Sequence, residues 1–436
     1  MKFYIKNSNI LTAMAMLLLA TTSCKKDYDN PNAAPEDQVL TSARGMTSVA
    51  IGLQRTYSFS RAGSVYNMVT ANGFVTNELI LLNAGNVPEF QLNSGGAVID
   101  GTNTILANIW ANASKVILDA NRVIAASQTL ADKPYVSGLV GYSTIYKAMA
   151  LGSLAMYWEK VPDTVGVNVT FSDRIQGFTK AIASIDRALT MIAATPISAS
   201  FATNVPAGTD IVNTLQALKA RYALFAGNYS VALAAANAVD LTKRSTMNFD
   251  AISVNPIFET VTSTNNVFQP VDSTFGLPLA LRPASNDKRV QFYTTLSPAI
   301  APRFRVNGFG ATSASPWPYY LPDEMKLIKA ECLLRQATPN LIAAKAEIDA
   351  VLQQTPAQDP LGVGADIATG YVGVVDVPTL LNEVYRNRCI ELFMSGLRLE
   401  DMRRFGRPLT ERKRNLFPYP FRERDNNPNT PADPAF

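Results

Sequence analysis

The 436-residue sequence contains no histidine and only three cysteines. Without histidine, the chain cannot form a catalytic dyad or triad with an imidazole base, nor a metal site with histidine ligands. With so few cysteines, a zinc site would depend on carboxylates alone, which is an unfavourable ligand set for zinc. A glycosidase-type carboxylate pair is the catalytic machinery that remains, but no compact set of Asp and Glu residues stands out. We therefore expect no metal and no cofactor, and the composition nominates no catalytic residues.

The sequence also lacks a strong net charge and further long apolar segments. It carries 39 Lys and Arg against 35 Asp and Glu, and only 17% of its residues are charged. Nucleic-acid binding requires clustered cations, so this balance argues against it. No run of 18 apolar residues occurs after the N-terminal region, and we expect no membrane-spanning helix.

Two of the three cysteines, Cys332 and Cys389, lie in apolar helical patterns. Buried free cysteines behave as small apolar side chains, and we predict free thiols at both positions. A disulfide between them is the alternative, because pairing cannot be read from sequence.

The third cysteine, Cys24, follows a segment with the layout of a secretory signal. Two lysines precede an apolar stretch over residues 11–20, which is about half the ~20 residues that a spanning helix needs. A cysteine directly after small residues resembles the anchor site of Bacteroidetes-type lipoproteins. An ordinary signal peptide with an incidental cysteine is the alternative. We predict a signal peptide at residues 1–23 and a lipidated tether at residues 24–40.

Most of the remaining chain, residues 41–436, is predicted to be one mostly helical domain. The 3.6-residue apolar spacing of helices is clearest in residues 42–60, 105–126, 137–157, 174–193, 212–226, 230–239, 323–335, 341–354 and about 378–395, with a continuation to residue 404. Residues 63–104 and 242–320 lack this spacing and are rich in turn-forming residues. Long irregular segments within a domain are uncommon unless they are functional. We therefore expect two irregular, ligand-facing insertions.

Several helical segments resemble tetratricopeptide units. Residues 218–239 place alanines where two helices would touch and a Gly227–Asn228 turn between them. Residues 325–352 form a second candidate unit, and residues 146–158 supply half of a third. These segments predict a helical-repeat scaffold, with a non-repetitive helical bundle as the alternative.

The C-terminal stretch "RCIELFMSGLRLEDMRRFGRPL" carries the resemblance to a family. Its Arg388, Glu391, Gly396, Arg398 and Asp401 match the late helix of the SusD/RagB family of outer-membrane nutrient-binding lipoproteins. We expect these charged residues to pair within the helix, three positions apart. Three further segments resemble the family in the same chain order: residues 110–124, 151–162 and 416–429.

The resemblance implies a tetratricopeptide-like scaffold whose loops cover a TonB-dependent barrel transporter of the SusC type. Such a protein captures an oligosaccharide, or in some relatives a peptide, and passes it to the barrel without breaking a bond. Together with Cys24, it implies an outer-membrane lipoprotein exposed at the cell surface. Two other functions stay open: an anchored repeat protein that binds only other proteins, and an anchored glycosidase.

Aromatic residues in residues 313–324 are candidates for sugar contacts. Trp317, Tyr319 and Tyr320 alternate with prolines, which would hold their rings extended and exposed. Such rings offer a flat apolar face with a polar edge. The alternative is that they cover the helix that follows. Trp110 and Trp158 lie on helical faces and are predicted to belong to the core.

A second set of candidates lies in residues 77–96. Asn83 and Asn86 offer amides for sugar hydroxyls, and Phe90 offers an apolar face. The alternative is ordinary turn chemistry, since Asn and Gly are turn residues.

Overall fold

The computed structural model describes residues 36–299 and 301–435, so Cys24, the predicted signal peptide and most of the tether lie outside the described residues. Within the described ranges, no helix is both long enough and apolar enough to cross a membrane. Helices dominate, and the predicted mostly helical fold is confirmed.

The α-helices of the described residues are α1 (Glu36–Val39), α2 (Ala43–Ser58), α3 (Ser64–Val75), α4 (Val87–Ser94), α5 (Thr104–Ser127), α6 (Lys133–Tyr157), α7 (Arg174–Ala194), α8 (Ala199–Asn204), α9 (Ile211–Phe225), α10 (Tyr229–Asn237), α11 (Lys288–Tyr293), α12 (Pro322–Arg335), α13 (Leu341–Leu352), α14 (Val377–Glu391), α15 (Arg398–Arg404) and α16 (Phe421–Asn426). Short 3-10 helices occur at Gly96–Val98, Leu279–Leu281, Gly308–Gly310 and Leu409–Glu411, and a π-helix at Phe258–Thr262.

The strands are β1 (Leu79–Leu81), β2 (Lys160–Pro162), β3 (Phe171–Asp173), β4 (Thr246–Met247), β5 (Phe268–Pro270), β6 (Thr294–Leu296), β7 (Phe304–Val306) and β8 (Trp317–Pro318). They form two-stranded antiparallel pairs, β1–β5, β2–β3, β4–β8 and β6–β7. Each pair joins loops rather than building a layer of the core.

The scaffold consists of helices that pack on their chain neighbours, including α5 on α6, α6 on α7, α9 on α10 and α12 on α13. In the α9–α10 turn, Gly227 has a φ of +76°, and the Asn228 side chain accepts a hydrogen bond from the Val231 amide. Asn340 caps α13 in the same way. Because α10 also packs on α12, consecutive hairpins stack, as the tetratricopeptide pattern predicts.

Helix α6 is the central element of this stack. Almost all of its residues from Tyr135 onward are buried, and a helix that is apolar on all sides belongs inside a core. Gly152 allows α9 to approach, because a Cβ there would lie 2.3 Å from the Tyr222 ring.

The structure corrects the prediction for the first insertion, because residues 64–75 form helix α3, in which every residue is buried. Asn, Gly and β-branched residues interrupt the apolar residues of this segment, so it shows no helical period that spacing could reveal. Some of its polar side chains bond to the helix and to the turn before it, whereas the Asn72 side chain accepts from the distant Leu399 amide at 2.8 Å. The Asn67 amide donates to the Gly63 carbonyl at 2.7 Å, and the Thr70 hydroxyl donates to the Tyr66 carbonyl at 2.7 Å.

Helix α4 also lies within the predicted irregular residues 63–104. Residues 242–320, in contrast, contain short strands, 3-10 turns, the π-helix and the six-residue helix α11. Regular structure in this second segment is therefore limited to short elements.

Trp110 and Trp158 are buried, and the prediction that both belong to the core is confirmed. Their ring centroids lie 4.9 Å apart in an edge-to-face arrangement. The Trp158 indole N–H donates to the Pro418 carbonyl at 2.9 Å, so this ring connects α6 to the C-terminal segment.

Cys332 and Cys389 are buried free thiols, as predicted. Burial raises the pKa of Cys332 to about 12 and that of Cys389 to about 11. Both groups therefore stay protonated and unreactive at neutral pH.

The C-terminal motif was expected to pair Arg388 with Glu391 and Arg398 with Asp401, and both of these pairings are wrong. Arg388 pairs with Asp401 at 2.9 Å, and Glu391 pairs with Arg289 at 3.3 Å. Arg398 donates to a backbone carbonyl at 2.6 Å instead. The prediction assumed pairing along one helical face, but the chain turns between α14 and α15, where Gly396 has a φ of +81°. Arg388 therefore reaches across to the next helix.

Asp323 lies at the start of α12 with a fully buried side chain. Lys326 Nζ lies 2.7 Å from one carboxylate oxygen, yet no donor among the described residues is aligned for a hydrogen bond to either oxygen. Burial raises the pKa of Asp323 to about 6, although the Lys326 ammonium opposes this rise. The folded protein thus binds this proton more tightly than the unfolded chain, where the pKa of Asp is about 3.9.

We expect the Asp323 carboxyl to reduce stability as the pH rises. Below about pH 4 it is protonated in both states, whereas above its folded pKa of about 6 the protein must hold a buried carboxylate. Asp323→Asn should therefore gain about 1–3 kcal/mol of unfolding free energy relative to the unsubstituted protein between about pH 4 and about pH 7. Urea denaturation of both proteins at each pH measures this gain. If the stability difference between Asp323→Asn and the unsubstituted protein does not grow with pH, the raised pKa assigned to Asp323 is contradicted.

Candidate functional site

An open cleft of about 480 Å³ lies beside the start of α4, and we call it the Asn86 cleft. Its walls come from residues 61–62 with Asn67, residues 85–89, and residues 104–105 with Asn108. Ligand pockets typically span about 300–1,000 Å³, so this cleft has room for a small ligand or for part of a larger one.

The polar wall of the Asn86 cleft centres on Arg61 and Glu89. The Arg61 side chain is 45% exposed and its guanidinium contacts the fully buried Glu89 carboxylate at 2.5 Å. Arg61 also donates to the Asn86 side-chain carbonyl at 3.1 Å. The Tyr66 hydroxyl donates to Glu89 at 2.6 Å, and burial together with the Glu89 charge raises the pKa of Tyr66 well above its usual value. A buried anion thus fixes a guanidinium whose outer part faces solvent.

Two acceptors in this wall make no hydrogen bond within the described residues. They are Oε2 of Glu89 and Oδ1 of Asn67. Buried acceptors are normally satisfied, and those without a protein partner are places for water or a ligand donor. Because neither atom is accessible to solvent, an enclosed water is the partner that fits them, and a ligand in the open cleft does not reach them directly.

The rim of the cleft brings the two predicted insertions together. Asn83 donates to the Asn266 side chain at 3.1 Å, and Asn86 donates to the Asn266 carbonyl at 3.2 Å. The β1–β5 pairing and a hydrogen bond from the Leu82 amide to Val267 hold these loops side by side. Phe90 follows on the first turn of α4 and is 42% exposed. Asn83, Asn86 and Phe90 thus lie in one neighbourhood.

The other predicted site residues line a separate, smaller cavity of about 80 Å³, which we call the Tyr319 cavity. Tyr319 and Tyr320 are only 2% exposed, and the expectation that their rings are exposed is wrong. Tyr319 hydrogen-bonds Tyr146 through its hydroxyl, and its carbonyl accepts from Arg221 at 2.9 Å. The pairing of β8 with β4 and these hydrogen bonds hold residues 317–320 against the helical scaffold. The prolines therefore do not keep these residues extended into solvent.

Trp317 differs from these two tyrosines because it is half-buried at the edge of the Tyr319 cavity. Its ring lies 6.3 Å from that of Phe309, which is also half-buried. The cavity behind them is well below the size of a typical ligand pocket. The Asn86 cleft is therefore the stronger candidate for ligand binding.

Comparison with solved structures shows where this architecture occurs. A SusD superfamily protein from Parabacteroides distasonis superimposes with a TM-score of 0.69 at 14% identity, covering 93% of this chain and 100% of that one. A SusD homolog from Bacteroides thetaiotaomicron gives a TM-score of 0.69 at 14% identity, covering 92% and 99%. A laminarin-binding SusD-like protein gives 0.67 at 14% identity, covering 90% and 99%. The chain has the SusD fold.

The likeness confirms the SusD-like scaffold that the sequence motifs predict. No family model and no curated protein matches the sequence, so the likeness is one of fold. Residues 36–299 and 301–435 contain no group of three or more His, Cys, Asp or Glu side chains placed to hold a metal ion.

Sequence reasoning missed Arg61, Asn67 and Asn108 of the Asn86 cleft, as well as Asn266 at its rim. Arg61 stands at the end of a predicted helix, and Asn266 stands in an irregular segment without a distinctive pattern. Their positions depend on contacts with residues far away in the chain, namely Glu89 and the loop after β1. The sequence feature that could have indicated Arg61 as a site residue is its position just beyond the end of a predicted helix.

Proposed function

We propose that this SusD-like protein is a cell-surface carbohydrate-binding protein that captures an oligosaccharide without catalysis. The observation that carries the proposal is the Asn86 cleft, which combines side-chain amides with a guanidinium fixed by a buried carboxylate, close along α4 to the partly exposed Phe90. A few polar groups in a cleft with an apolar face are the general means of fixing a ligand. The laminarin-binding structural neighbour supports a glycan as the ligand.

Each group of the cleft has a defined part in this proposal. The Arg61 guanidinium and the amides of Asn86 and Asn108 contact sugar hydroxyls, while Phe90 covers the apolar face of a sugar ring. Asn83 positions the loop through Asn266. Trp317 is a candidate for a second apolar contact, but Tyr319 and Tyr320 would contact a ligand only if the segment lifted from the scaffold.

We further propose that Cys24 carries the lipid anchor in the outer membrane and that the partner is a SusC-like TonB-dependent barrel. The signal-like N-terminal segment and the SusD fold support this arrangement.

Purification of the tagged protein from native membranes in mild detergent, followed by mass spectrometry, tests both the anchor and the partner. A stoichiometric β-barrel and a diacylated Cys24 are expected. A protein that elutes without a barrel would contradict the partnership, and an unmodified residue 24 would contradict the anchor.

We expect Phe90→Ala and Asn86→Ala each to weaken oligosaccharide binding by about tenfold or more. Loss of a stacking face or of a hydrogen bond to a ligand is worth about 1–2 kcal/mol, and about 1.4 kcal/mol corresponds to tenfold. A glycan array identifies the ligand, with laminari-oligosaccharides as the first probe, and isothermal titration calorimetry measures the affinity.

Matched controls are available for both variants. Phe421 is 48% exposed, close to the 42% of Phe90, and Asn237 is an exposed asparagine at the end of α10. Phe421→Ala and Asn237→Ala should leave the affinity unchanged. If all four variants bind equally well, the ligand site lies elsewhere. Binding of peptides but of no saccharide would instead favour the peptide-binding alternative.

A further inference from the structure

A second cleft of about 310 Å³ lies among α5, α6, α7 and residues 162–165, and we call it the Lys147 cleft. Its charged side chains are three cations, Lys147, Lys180 and Arg187, and one carboxylate, Asp163. Ser114 and Asn121 add a hydroxyl and an amide from α5. The cleft therefore has an excess of positive charge together with neutral hydrogen-bond donors.

Lys147 is the unusual member of this set. It lies half-buried on α6, whose other residues between Tyr135 and Tyr157 are buried. Its ammonium makes no hydrogen bond or ion pair within the described part of the chain. Burial, and after it the charge of Arg187, lowers the pKa of Lys147. A partly desolvated charge without a partner costs stability, and an anionic group bound beside it would offset that cost.

The carboxylate in the cleft does not compensate Lys147. Asp163 accepts hydrogen bonds from Thr170 at 2.7 Å, from the Ser172 hydroxyl, and from Lys180 at 3.1 Å. These bonds, that from Ser172 first, lower the pKa of Asp163 to about 2. The charge of Asp163 is therefore already engaged by its own loop and by Lys180.

Arg187 is in a similar situation. Its guanidinium donates to the Ser184 hydroxyl at 3.3 Å, and no carboxylate of the described residues forms an ion pair with it. The neighbouring Asp186 pairs with Lys219 at 2.6 Å. Two cations thus face one cleft without a counter-charge, and they repel each other there.

We propose that the Lys147 cleft binds a tetrahedral oxyanion group, a phosphoryl or sulfuryl group, between Lys147 and Arg187. Such a group supplies the missing negative charge and has several oxygens to accept from both cations, from Ser114 and from Asn121. Hydrogen bonds between charged partners are about twice as strong as neutral ones, which suits a site built from ammonium and guanidinium groups. The site is separate from the Asn86 cleft, and its proposal does not depend on oligosaccharide binding there.

The test uses the mature chain and two simple probes, sodium phosphate and sodium sulfate, with sodium chloride at matched ionic strength as the reference. Calorimetric titration and thermal unfolding measure binding, since a ligand that binds the folded state raises the melting temperature. We expect either oxyanion to bind and raise the melting temperature relative to chloride. Lys147→Met and Arg187→Gln should each weaken binding by about tenfold or more, and Lys243→Met, at an exposed lysine elsewhere, should not.

A second readout separates this role from a structural one. In buffer without oxyanion, Lys147→Met should raise the melting temperature, because it removes a desolvated charge that has no partner. A lower melting temperature would mean that the ammonium stabilises the fold, and would overturn the proposal. Equal oxyanion affinity in Lys147→Met, or no binding in the unsubstituted chain, would also overturn it.

Comparing inorganic phosphate with a sulfated monosaccharide and with vesicles of a phosphorylated lipid then identifies the source of the group. Binding of each probe is measured in the unsubstituted protein and in the Lys147→Met variant. An acidic peptide serves as the contrasting probe, and binding confined to it would contradict the proposal and would favour a protein partner.

Discussion

Asp401→Asn is expected to lower the free energy of unfolding by about 3–5 kcal/mol. Arg388 is 0% exposed and its guanidinium lies 2.9 Å from the Asp401 carboxylate, whose side chain is 1% exposed. Arg404 lies 2.8 Å from the other carboxylate oxygen. Burial by itself would raise the pKa of Asp401, but these two cations outweigh it and hold the pKa below its usual value. The carboxylate is therefore charged in the folded protein, and its loss would leave Arg388 buried without a charged partner.

Chemical denaturation of the variant measures this effect, with Asp119→Asn as the control. Lys115 and Asp119 form an ion pair at 2.7 Å, but the Lys115 side chain is 61% exposed. Exposed pairs contribute about 0–1 kcal/mol, so the control should stay near the stability of the unsubstituted protein. If Asp401→Asn loses no more than the control, the Arg388–Asp401 pair does not hold α14 and α15 together.

The same ion pair shows how far sequence reasoning extends in this protein. The spacing of apolar residues predicts α5, α7, α9 and α12 to within a few residues. Of these, α5 and α7 have one face against the core, whereas α9 and α12 are buried over most of their residues. The spacing does not reveal that Arg388 pairs with Asp401. That contact depends on the turn at Gly396, which ends one helix and reorients the next. Helical periodicity describes contacts within an element, whereas this contact joins two elements.

Helix α3 shows a second limit of the same reasoning. Its residues bury polar side chains on every face, so neither amphipathic spacing nor a long apolar run is present. The hydrogen bonds that make this burial tolerable lie partly within the helix and partly with distant residues, since the Asn72 side chain accepts from the Leu399 amide at 2.8 Å. Such a helix can be recognised only when its neighbours are known, because its stability comes from tertiary packing.

The candidate site was predictable in its residue types but not in its geometry. Amides in a turn-rich segment indicate hydroxyl recognition, and Asn86 does line the cleft. The partner that holds it, Asn266, lies 180 residues further along the chain. Two three-residue strands, β1 and β5, bring these loops together, and strands this short leave no readable alternation. Proline content was the misleading signal, because it predicted exposed rings for Tyr319 and Tyr320, whereas strand pairing buries them.

The second large effect is expected at Trp158, where truncation to alanine should lower the free energy of unfolding by about 3–5 kcal/mol. Its fully buried ring packs on Trp110 and Tyr157, with centroid separations of 4.9 and 6.4 Å. Truncation would leave a large cavity at the end of α6 and would deprive the Pro418 carbonyl of its donor. Both losses act on the contact between the central helix and the C-terminal segment.

Trp317→Ala is the matched control, because Trp317 is half-buried and contacts the half-buried Phe309 at the edge of the Tyr319 cavity. Solvent can enter the space that this ring leaves, so we expect a loss of only about 1–2 kcal/mol. Hydrogen exchange should separate the two variants further. In Trp158→Ala the Phe417 amide, which donates to the Tyr157 carbonyl at 2.9 Å, should exchange faster, whereas Trp317→Ala should leave it protected. Equal losses of stability with an unchanged Phe417 amide would mean that the C-terminal segment is held by its other contacts and that Trp158 only fills space.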